Sequence, residues 1–482
     1  MDLPRDAAAG AMTGPTPSRE ARAGETEHSL PRRYNAWLLG RLPNDRRAPT
    51  ATVEEYVSAL AAPRRSMTVS HARRPTRTPL VCILLAVAAL AAGAADWPQF
   101  HGPRRDNMSD ETGLLKQWPA DGPKLLWTAT GIGAGFSSVA IAGGLVYTTG
   151  NVGADTVLTA LNLAGEAQWT AKNGPADKHD RPGTRSTPTV DGDCLYHENS
   201  DGDLACLEAK TGKQLWALNL VAKFNGQSPR WGHAESPLVD GEHVICVPGG
   251  TEAGMVALNK RTGGTVWASK GTTEKPGYGS PIAIEFGGVR QYVTMMEKSV
   301  IGVRADTGKL LWRVPHNAFA EETASTPLYQ DGFLFVSTLP PGATQCIELT
   351  AQGDRITAKQ AWQSAALDDH HGGMVLLNGY LYGASLKGKW VCLEAKKGRL
   401  AYSADGVGKG SVTYADGMLY TLSEEGGTVG LVKATPDGHD IVSQFRLPAG
   451  GNGPVWAHPV VCGGRLYLRH GDSLYCYDIQ AR

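Results

Sequence analysis

A short repeated segment constrains the fold of this chain more than any other feature of its sequence. Residues 204–216 read LACLEAKTGKQLW, and the same pattern recurs at 158–169, 255–267 and 300–312. In every copy a turn glycine precedes the final tryptophan by four residues. A pattern that recurs every roughly 40 to 50 residues is typical of repeat architectures.

Each repeat predicts two successive β-hairpins. The recurrent segment is one hairpin, and a second precedes it, most clearly in STPTVDGDCLY at 186–196, where an Asp-Gly turn joins two apolar strands. The front turns are Gly143-Gly144, Asp191-Gly192, Asp240-Gly241, Gly287-Gly288, Asp331-Gly332, Asn378-Gly379, Asp416-Gly417 and Gly463-Gly464. The repeat ends are Trp127, Trp169, Trp216, Trp267, Trp312, Trp362, Tyr402 and Phe445.

These units predict an all-β, eight-bladed β-propeller of four-stranded antiparallel blades at 123–482. The last unit supplies only three strands before the sequence stops at Arg482, whereas residues 123–130 resemble a fourth strand without a partner. We therefore expect the N-terminal strand to complete the C-terminal blade, which closes the ring and leaves no open edge. Residues 96–122 are a turn-rich lead-in segment.

The first 95 residues predict export. Arg73, Arg74 and Arg77 precede an apolar run at 80–90 and a small-residue cleavage site at 92–94, as in a secretory signal peptide at 67–95. The apolar run is shorter than the ~20 residues of a spanning helix, so we expect cleavage and a periplasmic or secreted protein that does not span the membrane. Residues 1–66 are either a mis-assigned extension, with Met67 as the true start, or a disordered leader.

Charge and cysteine content restrict the function classes further. Residues 96–482 carry slightly more acidic than basic side chains, which disfavours a nucleic-acid-binding surface, and we expect a monomer. Aligned repeats place four cysteines in one small-residue position, so we interpret them as packing residues rather than disulfides. Pairing of Cys194 with Cys206, or of Cys462 with Cys476, is the alternative. The packing position holds Cys206, Cys346, Cys392 and Cys476, with Ala160, Ala257, Gly302 and Gly430 in other repeats.

The repeat resembles the pyrroloquinoline-quinone (PQQ) repeat. This resemblance covers the propeller and implies that the repeat-end tryptophans pack between neighbouring blades. It leads to two branches: quinoprotein alcohol dehydrogenases, which bind PQQ with calcium, and the propeller subunit of the outer-membrane β-barrel assembly machinery, which is a scaffold. The dehydrogenases typically have adjacent cysteines beside the cofactor, and this chain has none. No PQQ ligand is therefore transferred.

Polar residues directly before the first strand of each blade predict where a site would lie, because these strands line the central channel. Histidine with carboxylates would suit a metal, and Arg or Lys beside Trp would suit an anionic or planar ligand. Polar loop ends are also normal at a propeller mouth, so both alternatives stay open. The candidates are Arg185, His233, Glu235, Glu322, His370, His371, Lys409, Trp456 and His458.

The sequence thus favours an exported binding or scaffold protein of the cell envelope over an enzyme. Its expected partners are envelope proteins or a small ligand. A PQQ-dependent oxidoreductase is the first alternative, with PQQ and calcium as its cofactors. A metal or polysaccharide binder at the channel mouth is the second.

Overall fold

The computed structural model describes residues 96–319 and 322–482. The predicted extension at 1–66 and the signal peptide at 67–95 lie outside the described residues. No helix in the described ranges is long and apolar enough to cross a membrane.

The described chain forms eight four-stranded antiparallel sheets, as the sequence predicted. Blades 1 to 4 are built from β3 (Ala140–Ala142), β4 (Leu145–Val152), β5 (Asp155–Asn162), β6 (Ala167–Pro175), β7 (Thr189–Asp191), β8 (Cys194–Glu198), β9 (Asp203–Glu208), β10 (Gln214–Asn219), β11 (Leu238–Asp240), β12 (His243–Cys246), β13 (Met255–Asn259), β14 (Thr265–Ser269), β15 (Ile282–Phe286), β16 (Val289–Met295), β17 (Ser299–Arg304) and β18 (Leu310–Pro315).

Blades 5 to 8 follow in the same order, and two short elements lie outside the blade pattern. Blades 5 to 8 contain β19 (Leu328–Gln330), β20 (Phe333–Thr338), β21 (Ala343–Gln352), β22 (Arg355–Ser364), β23 (Met374–Leu377), β24 (Tyr380–Ala384), β25 (Trp390–Glu394), β26 (Arg399–Ala404), β27 (Gly410–Ala415), β28 (Met418–Ser423), β29 (Thr428–Lys433), β30 (Ile441–Arg446), β31 (Val460–Cys462), β32 (Arg465–His470), β33 (Ser473–Asp478) and β2 (Lys124–Ala129). The two others are β1 (Met108–Ser109), which pairs in parallel with β27, and helix α1 (Leu220–Phe224).

Ring closure occurs as predicted, because β2 pairs antiparallel with β33 and supplies the fourth strand of blade 8. A buried arginine fastens the same junction from the inside. The Arg469 guanidinium donates to the carbonyl oxygens of Ser137 and Thr149, at 3.1 and 2.6 Å, and to that of Gly133 at 2.9 Å. Blade 8 is therefore tied to the start of blade 1 by both a strand and a side chain.

The repeat-end tryptophans join each blade to the next. The Trp169 indole N–H donates to the Ala209 carbonyl of blade 2 at 3.0 Å, and a side chain at Gly212 would place its Cβ 2.5 Å from the indole ring. Each such repeat therefore contributes its tryptophan to the contact with the following blade and its turn glycine to the contact with the preceding blade. Equivalent contacts link Trp127 to Leu163 and Gly165, Trp216 to Lys260 and Gly263, Trp267 to Ala305 and Gly308, and Trp362 to Ala395 and Gly398.

Three repeat ends depart from this arrangement. Tyr402 occupies the repeat-end position opposite Cys392 but has no indole group. Trp312 donates instead to Gln291 Oε1 within its own blade, at 2.7 Å. In blade 7 the residue opposite the small position Gly430 is Gln444, and Phe445 pairs with Val429. The prediction that Phe445 occupies the repeat-end position was therefore wrong by one residue, because the strand irregularity in this blade lies one pair further from that position than in blade 3.

The small position between the two aromatic strands is confirmed as a packing position. Cys206 lies between Tyr196 on one neighbouring strand and Trp216 on the other, and it is fully buried. No disulfide joins the cysteines of the described residues. A residue larger than cysteine there would separate the two aromatic rings, whose centroids are 6.1 Å apart.

Gly212→Ala should destabilise the propeller more than Gly192→Ala. Both glycines have positive φ, +71° and +58°, so both substitutions incur the left-handed backbone penalty of about 1–2 kcal/mol. Only at position 212 does the new methyl group meet the Trp169 ring, which should add about 1–3 kcal/mol of overpacking. Urea unfolding of both variants measures the difference, and equal midpoint shifts would contradict the proposed contact between blades.

Candidate functional site at the channel mouth

One face of the ring collects the loops that carry most of the predicted site residues. In an antiparallel blade the start of the first strand and the loop between the second and third strands lie at the same end. We call this the mouth face, defined by the inter-blade loops at 130–139, 176–188, 225–237, 270–281, 322–327, 365–373, 405–409 and 447–459 together with the second-to-third-strand loops at 385–389 and 424–427.

A chain of charged side chains crosses the mouth face from blade 5 to blade 7. His370 Nε2 lies 2.8 Å from Glu322 Oε2, and Lys409 Nζ lies 2.8 Å from His370 Nδ1. The same ammonium group is 2.6 Å from Glu424 Oε2. Lys409 is thus held between the imidazole and a carboxylate. The three predicted residues contact one another in series, and Glu424, which was not predicted, continues the series beyond Lys409.

Glu424 also contacts two ring side chains of the mouth face, Trp456 and His371. Its Oε1 accepts the Trp456 indole N–H at 2.7 Å, and its Oε2 lies 3.3 Å from His371 Nε2. Burial alone would raise the pKa of Glu424, but the nearby His371 imidazole together with Lys409 and Trp456 holds it well below its usual value. Burial lowers the pKa of His371 to about 3, so this imidazole is neutral at pH 7.

Aromatic rings and arginines continue the surface into blades 1 and 2. The Trp456 and Phe136 ring centroids are 4.5 Å apart, and the guanidinium carbons of Arg181 and Arg185 lie 5.8 and 5.7 Å from these two rings respectively. Arg185 is fixed by Asp177, whose Oδ2 accepts its N–H at 2.7 Å. Burial opposes ionisation of Asp177, yet hydrogen bonds from His179 and Arg185 lower its pKa overall.

The N-terminal lead-in fills the central channel, which the sequence did not predict. His101, in this segment, places Nε2 3.1 Å from His458 Nδ1, so the predicted site residue His458 is buried at the channel, between His101 and the His371 carbonyl oxygen, which lies 2.8 Å from His458 Nε2. Burial lowers the pKa of His458 to about 4. The lead-in also forms hydrogen bonds with the first-strand regions of blades 1, 2 and 7, through Trp97, Pro98 and Asn107.

Arg105 anchors the lead-in at the channel axis. Its side chain is 2% exposed, and its guanidinium donates to the carbonyl oxygens of Ser236 and Pro281 at 2.9 and 3.0 Å. A further donor reaches the Pro237 carbonyl, and Nε donates to Gln99 Oε1 at 2.9 Å. One side chain thus satisfies carbonyls that point inward from blades 3 and 4.

The two remaining predicted residues, His233 and Glu235, are buried between blades 2 and 3 and do not reach the mouth surface. His233 Nδ1 lies 2.8 Å from Glu198 Oε1, and Glu235 Oε1 accepts the Val247 N–H at 2.7 Å. Glu198 and Glu235 share their surroundings with the Cys246 thiol, and ligand atoms of these three lie within 4.8 Å of one another. They form a closed cluster, separate from the charged chain at the mouth.

The mouth therefore unites six of the nine predicted residues, namely Arg185, Glu322, His370, His371, Lys409 and Trp456. Sequence reasoning missed Glu424 because it considered only the loops that precede first strands, and it missed Phe136 although this residue lies in the loop before β3. Glu424 lies in the loop after β28, between the second and third strands of blade 7. Because successive strands of a blade run in opposite directions, this loop lies on the same face as the start of the first strand, and the sequence pattern was sufficient to show this. Asp177 was missed although it lies in the same loop as Arg185.

The mouth combines paired charges with aromatic rings. The lysine and both carboxylates of the charged chain already have partners. Exposed arginines over tryptophan, together with half-buried aromatic rings, are the side chains enriched at the energetic centres of protein interfaces.

The fold and repeat define an eight-bladed propeller of the PQQ-like repeat class. A family model described as "Outer membrane protein assembly factor BamB" matches residues 108–253 and 154–359, which together span more than half of the chain. The chain belongs to this family. A BamB protein of Bordetella pertussis is 22% identical over 305 residues, which cover 62% of this chain and 69% of that protein.

Solved structures share the fold in both branches of the class. BamB from Moraxella catarrhalis aligns with a TM-score of 0.52 at 14% identity, over 74% of this chain and 99% of that one. The quinohemoprotein alcohol dehydrogenase of Comamonas testosteroni aligns with a TM-score of 0.56 at 14% identity, over 80% of this chain and 81% of that one. At such identities the similarity concerns the fold alone.

Arg105→Ala should release the lead-in from the channel, because the carbonyls of blades 3 and 4 lose their buried donor. Arg104→Ala is the matched control, since its neighbouring guanidinium pairs with Asp106 and Asp110 at the surface. Limited proteolysis followed by mass spectrometry should show faster cleavage within 97–111 only in the first variant. Equal protection in both variants would show that Arg105 does not hold the segment.

Asp369→Asn should change the pH dependence of stability. Burial raises the pKa of this aspartate to about 6, so the folded protein binds its proton more tightly than the unfolded chain does. The wild-type protein should therefore lose up to about 3 kcal/mol of stability between about pH 4 and pH 6, a loss that the neutral asparagine lacks.

Urea unfolding at pH 4 and pH 7 tests this effect of Asp369. The free energy of unfolding of Asp369→Asn, relative to that of the wild type, should be higher at pH 7 than at pH 4. Asp368→Asn is the control, because it removes a charge from the same loop. Parallel pH profiles for wild type and Asp369→Asn would contradict the expectation.

Proposed function

We propose that this protein is an exported scaffold of the cell envelope that binds partner proteins through its mouth face. Membership of the family described as an outer membrane protein assembly factor carries this proposal. The signal-peptide pattern at 67–95 supports delivery to the periplasm, where such partners lie.

The composition of the mouth face supports protein binding. Besides the Trp456 and Phe136 pair, a second aromatic pair, Trp231 and Tyr278, has ring centroids 5.8 Å apart and lies in the loops before blades 3 and 4. Arg230 covers Trp231, with its guanidinium carbon 4.8 Å from the ring. Arginine over an aromatic ring provides a large contact area and a donor array for acidic or carbonyl groups of a partner.

The filled channel also favours a scaffold over a cofactor enzyme. An axial cofactor would have to displace Arg105 and His101, both of which are buried and hydrogen-bonded. Together with the lack of adjacent cysteines, this means that the residues present fit PQQ poorly. We therefore place the oxidoreductase second, and we assign no reaction step to any residue.

A double variant, Arg230→Glu with Trp231→Ala, should lose binding to an envelope partner. Both side chains lie on the mouth face and neither belongs to the core, so the fold should be retained. Lys213→Glu is the matched charge change at the far end of blade 2, in the exposed turn between β9 and β10. Photo-crosslinking residues placed at 230 and 213 should capture outer-membrane assembly components only from position 230.

Two results would overturn the scaffold proposal. One is crosslinking to the same proteins from both positions, or undiminished binding by the double variant. The other is tight binding of PQQ with calcium to the wild-type protein accompanied by dye-linked alcohol oxidation, which would support the oxidoreductase instead.

A further inference from the structure

The buried cluster between blades 2 and 3 has a composition that its structural role does not explain. Glu198 closes β8, Cys246 closes β12, and Glu235 lies just before β11, so two adjacent blades contribute to it. Glu198 and Cys246 are 0% exposed and Glu235 is 2% exposed. Placing two carboxyl groups and a thiol together without solvent is costly unless they are neutralised or share a cation.

The hydrogen bonds of the cluster are incomplete. Val247 N–H satisfies one oxygen of Glu235, but Glu235 Oε2 has no donor. Neither oxygen of Glu198 accepts a well-oriented hydrogen bond, although Oε1 lies 2.8 Å from His233 Nδ1. Fully buried carboxylate oxygens without donors are rare, and they point into the space shared with Cys246 Sγ.

We propose that Glu198, Glu235 and Cys246 bind a divalent zinc-class cation that fastens blade 2 to blade 3. Zinc accepts both thiolate sulfur and carboxylate oxygen, whereas calcium and magnesium require oxygen alone. His233 is a positioning residue that orients Glu198, in the manner of histidine–carboxylate pairs around metal centres.

Charge balance supports this assignment. Two carboxylates and one thiolate carry three negative charges, a divalent cation supplies two positive charges, and the buried Arg105 acts electrostatically on both Glu235 and Cys246. The assembly is then neutral as a whole, which a low-dielectric interior requires. On binding, the protons of the thiol and of the carboxyl pair pass to solvent, and no electron transfer is involved.

The proposal is independent of the scaffold function, because the cluster is closed and lies away from the mouth surface. A closed site loads during folding, so the test uses full-length protein without a polyhistidine tag, expressed in medium supplemented with zinc or cobalt. We expect one equivalent of metal per chain after gel filtration. The cobalt form should show thiolate-to-metal charge transfer in the near ultraviolet and intense visible bands of a four-coordinate ion.

Variants assign the ligands. Cys246→Ala should abolish the charge-transfer band, while Cys346→Ala, which alters a buried cysteine of the packing position, should leave it unchanged. Glu198→Gln and Glu235→Gln should each weaken metal binding by at least about 10-fold, measured by chelator competition. If Cys246→Ala does not fold, the two glutamine variants and the wild-type spectrum still decide the matter.

Several outcomes would overturn the metal site. A metal-free wild-type protein after expression in supplemented medium would indicate a carboxyl pair that shares a proton. Substoichiometric metal, or a charge-transfer band that persists in Cys246→Ala, would indicate adventitious binding elsewhere. The partner-binding experiment at positions 230 and 213 is unaffected by any of these results, so failure of one proposal is distinguishable from failure of the other.

Discussion

The contact of a repeat-end indole with the next blade, which occurs at five blade interfaces, is the interaction on which the ring depends. Trp169, for example, buries its ring face against Gly212 while its N–H binds the Ala209 carbonyl. The turn that follows β9 must therefore be glycine for two reasons, positive φ and the close approach of the ring. Because the same motif provides the indole of one interface and the turn of another, each repeat fits only beside another copy of itself.

The exceptions show how the chain compensates when this contact is absent. Phe445 is displaced by one residue in blade 7, and the lead-in covers it. Trp118 packs edge-on against Phe445 with centroids 5.3 Å apart, and the backbone N–H of Trp118 donates to Ser443 Oγ. The lead-in therefore adds a second aromatic ring beside Phe445, which itself packs against Tyr477 of blade 8 with ring centroids 5.0 Å apart. At the end of blade 4 the difference arises within the repeats themselves. The Trp312 indole donates to Gln291 in its own blade, and the outer hairpin of blade 5 is longer, with the ten-residue strands β21 and β22.

The sequence predicted the architecture well because a strand or turn that is unclear in one repeat can be assigned from the equivalent residues of the others. Eight aligned turns identified eight hairpins, and the three-strand final unit identified the closing strand β2. The sequence did not distinguish which of the predicted site residues lie at the mouth surface and which are buried, because first-strand loops converge at the axis but differ in depth. His458 and His233 turn inward to His101 and Glu198, whereas His370 and Lys409 stay at the surface. Whether a loop residue faces inward depends on what fills the channel, and a non-repeating segment such as 97–111 gives no periodic signal of its position.

Repeating and non-repeating parts of this chain thus have different physical tasks. Walls built from identical hairpins leave backbone carbonyls of the inter-blade loops pointing at the axis, where no neighbouring strand can satisfy them. A single arginine in the lead-in satisfies three of these groups, at Ser236, Pro237 and Pro281, and brings its positive charge beside Glu235 and Cys246. The axis is closed from within and the carboxylates at the mouth are paired, so the aromatic rings and their covering arginines make up the remainder of the mouth surface. Those residues lie in the inter-blade loops and not in the repeated hairpins, so a ring of similar blades can still present a distinctive surface, the one proposed above for partner binding.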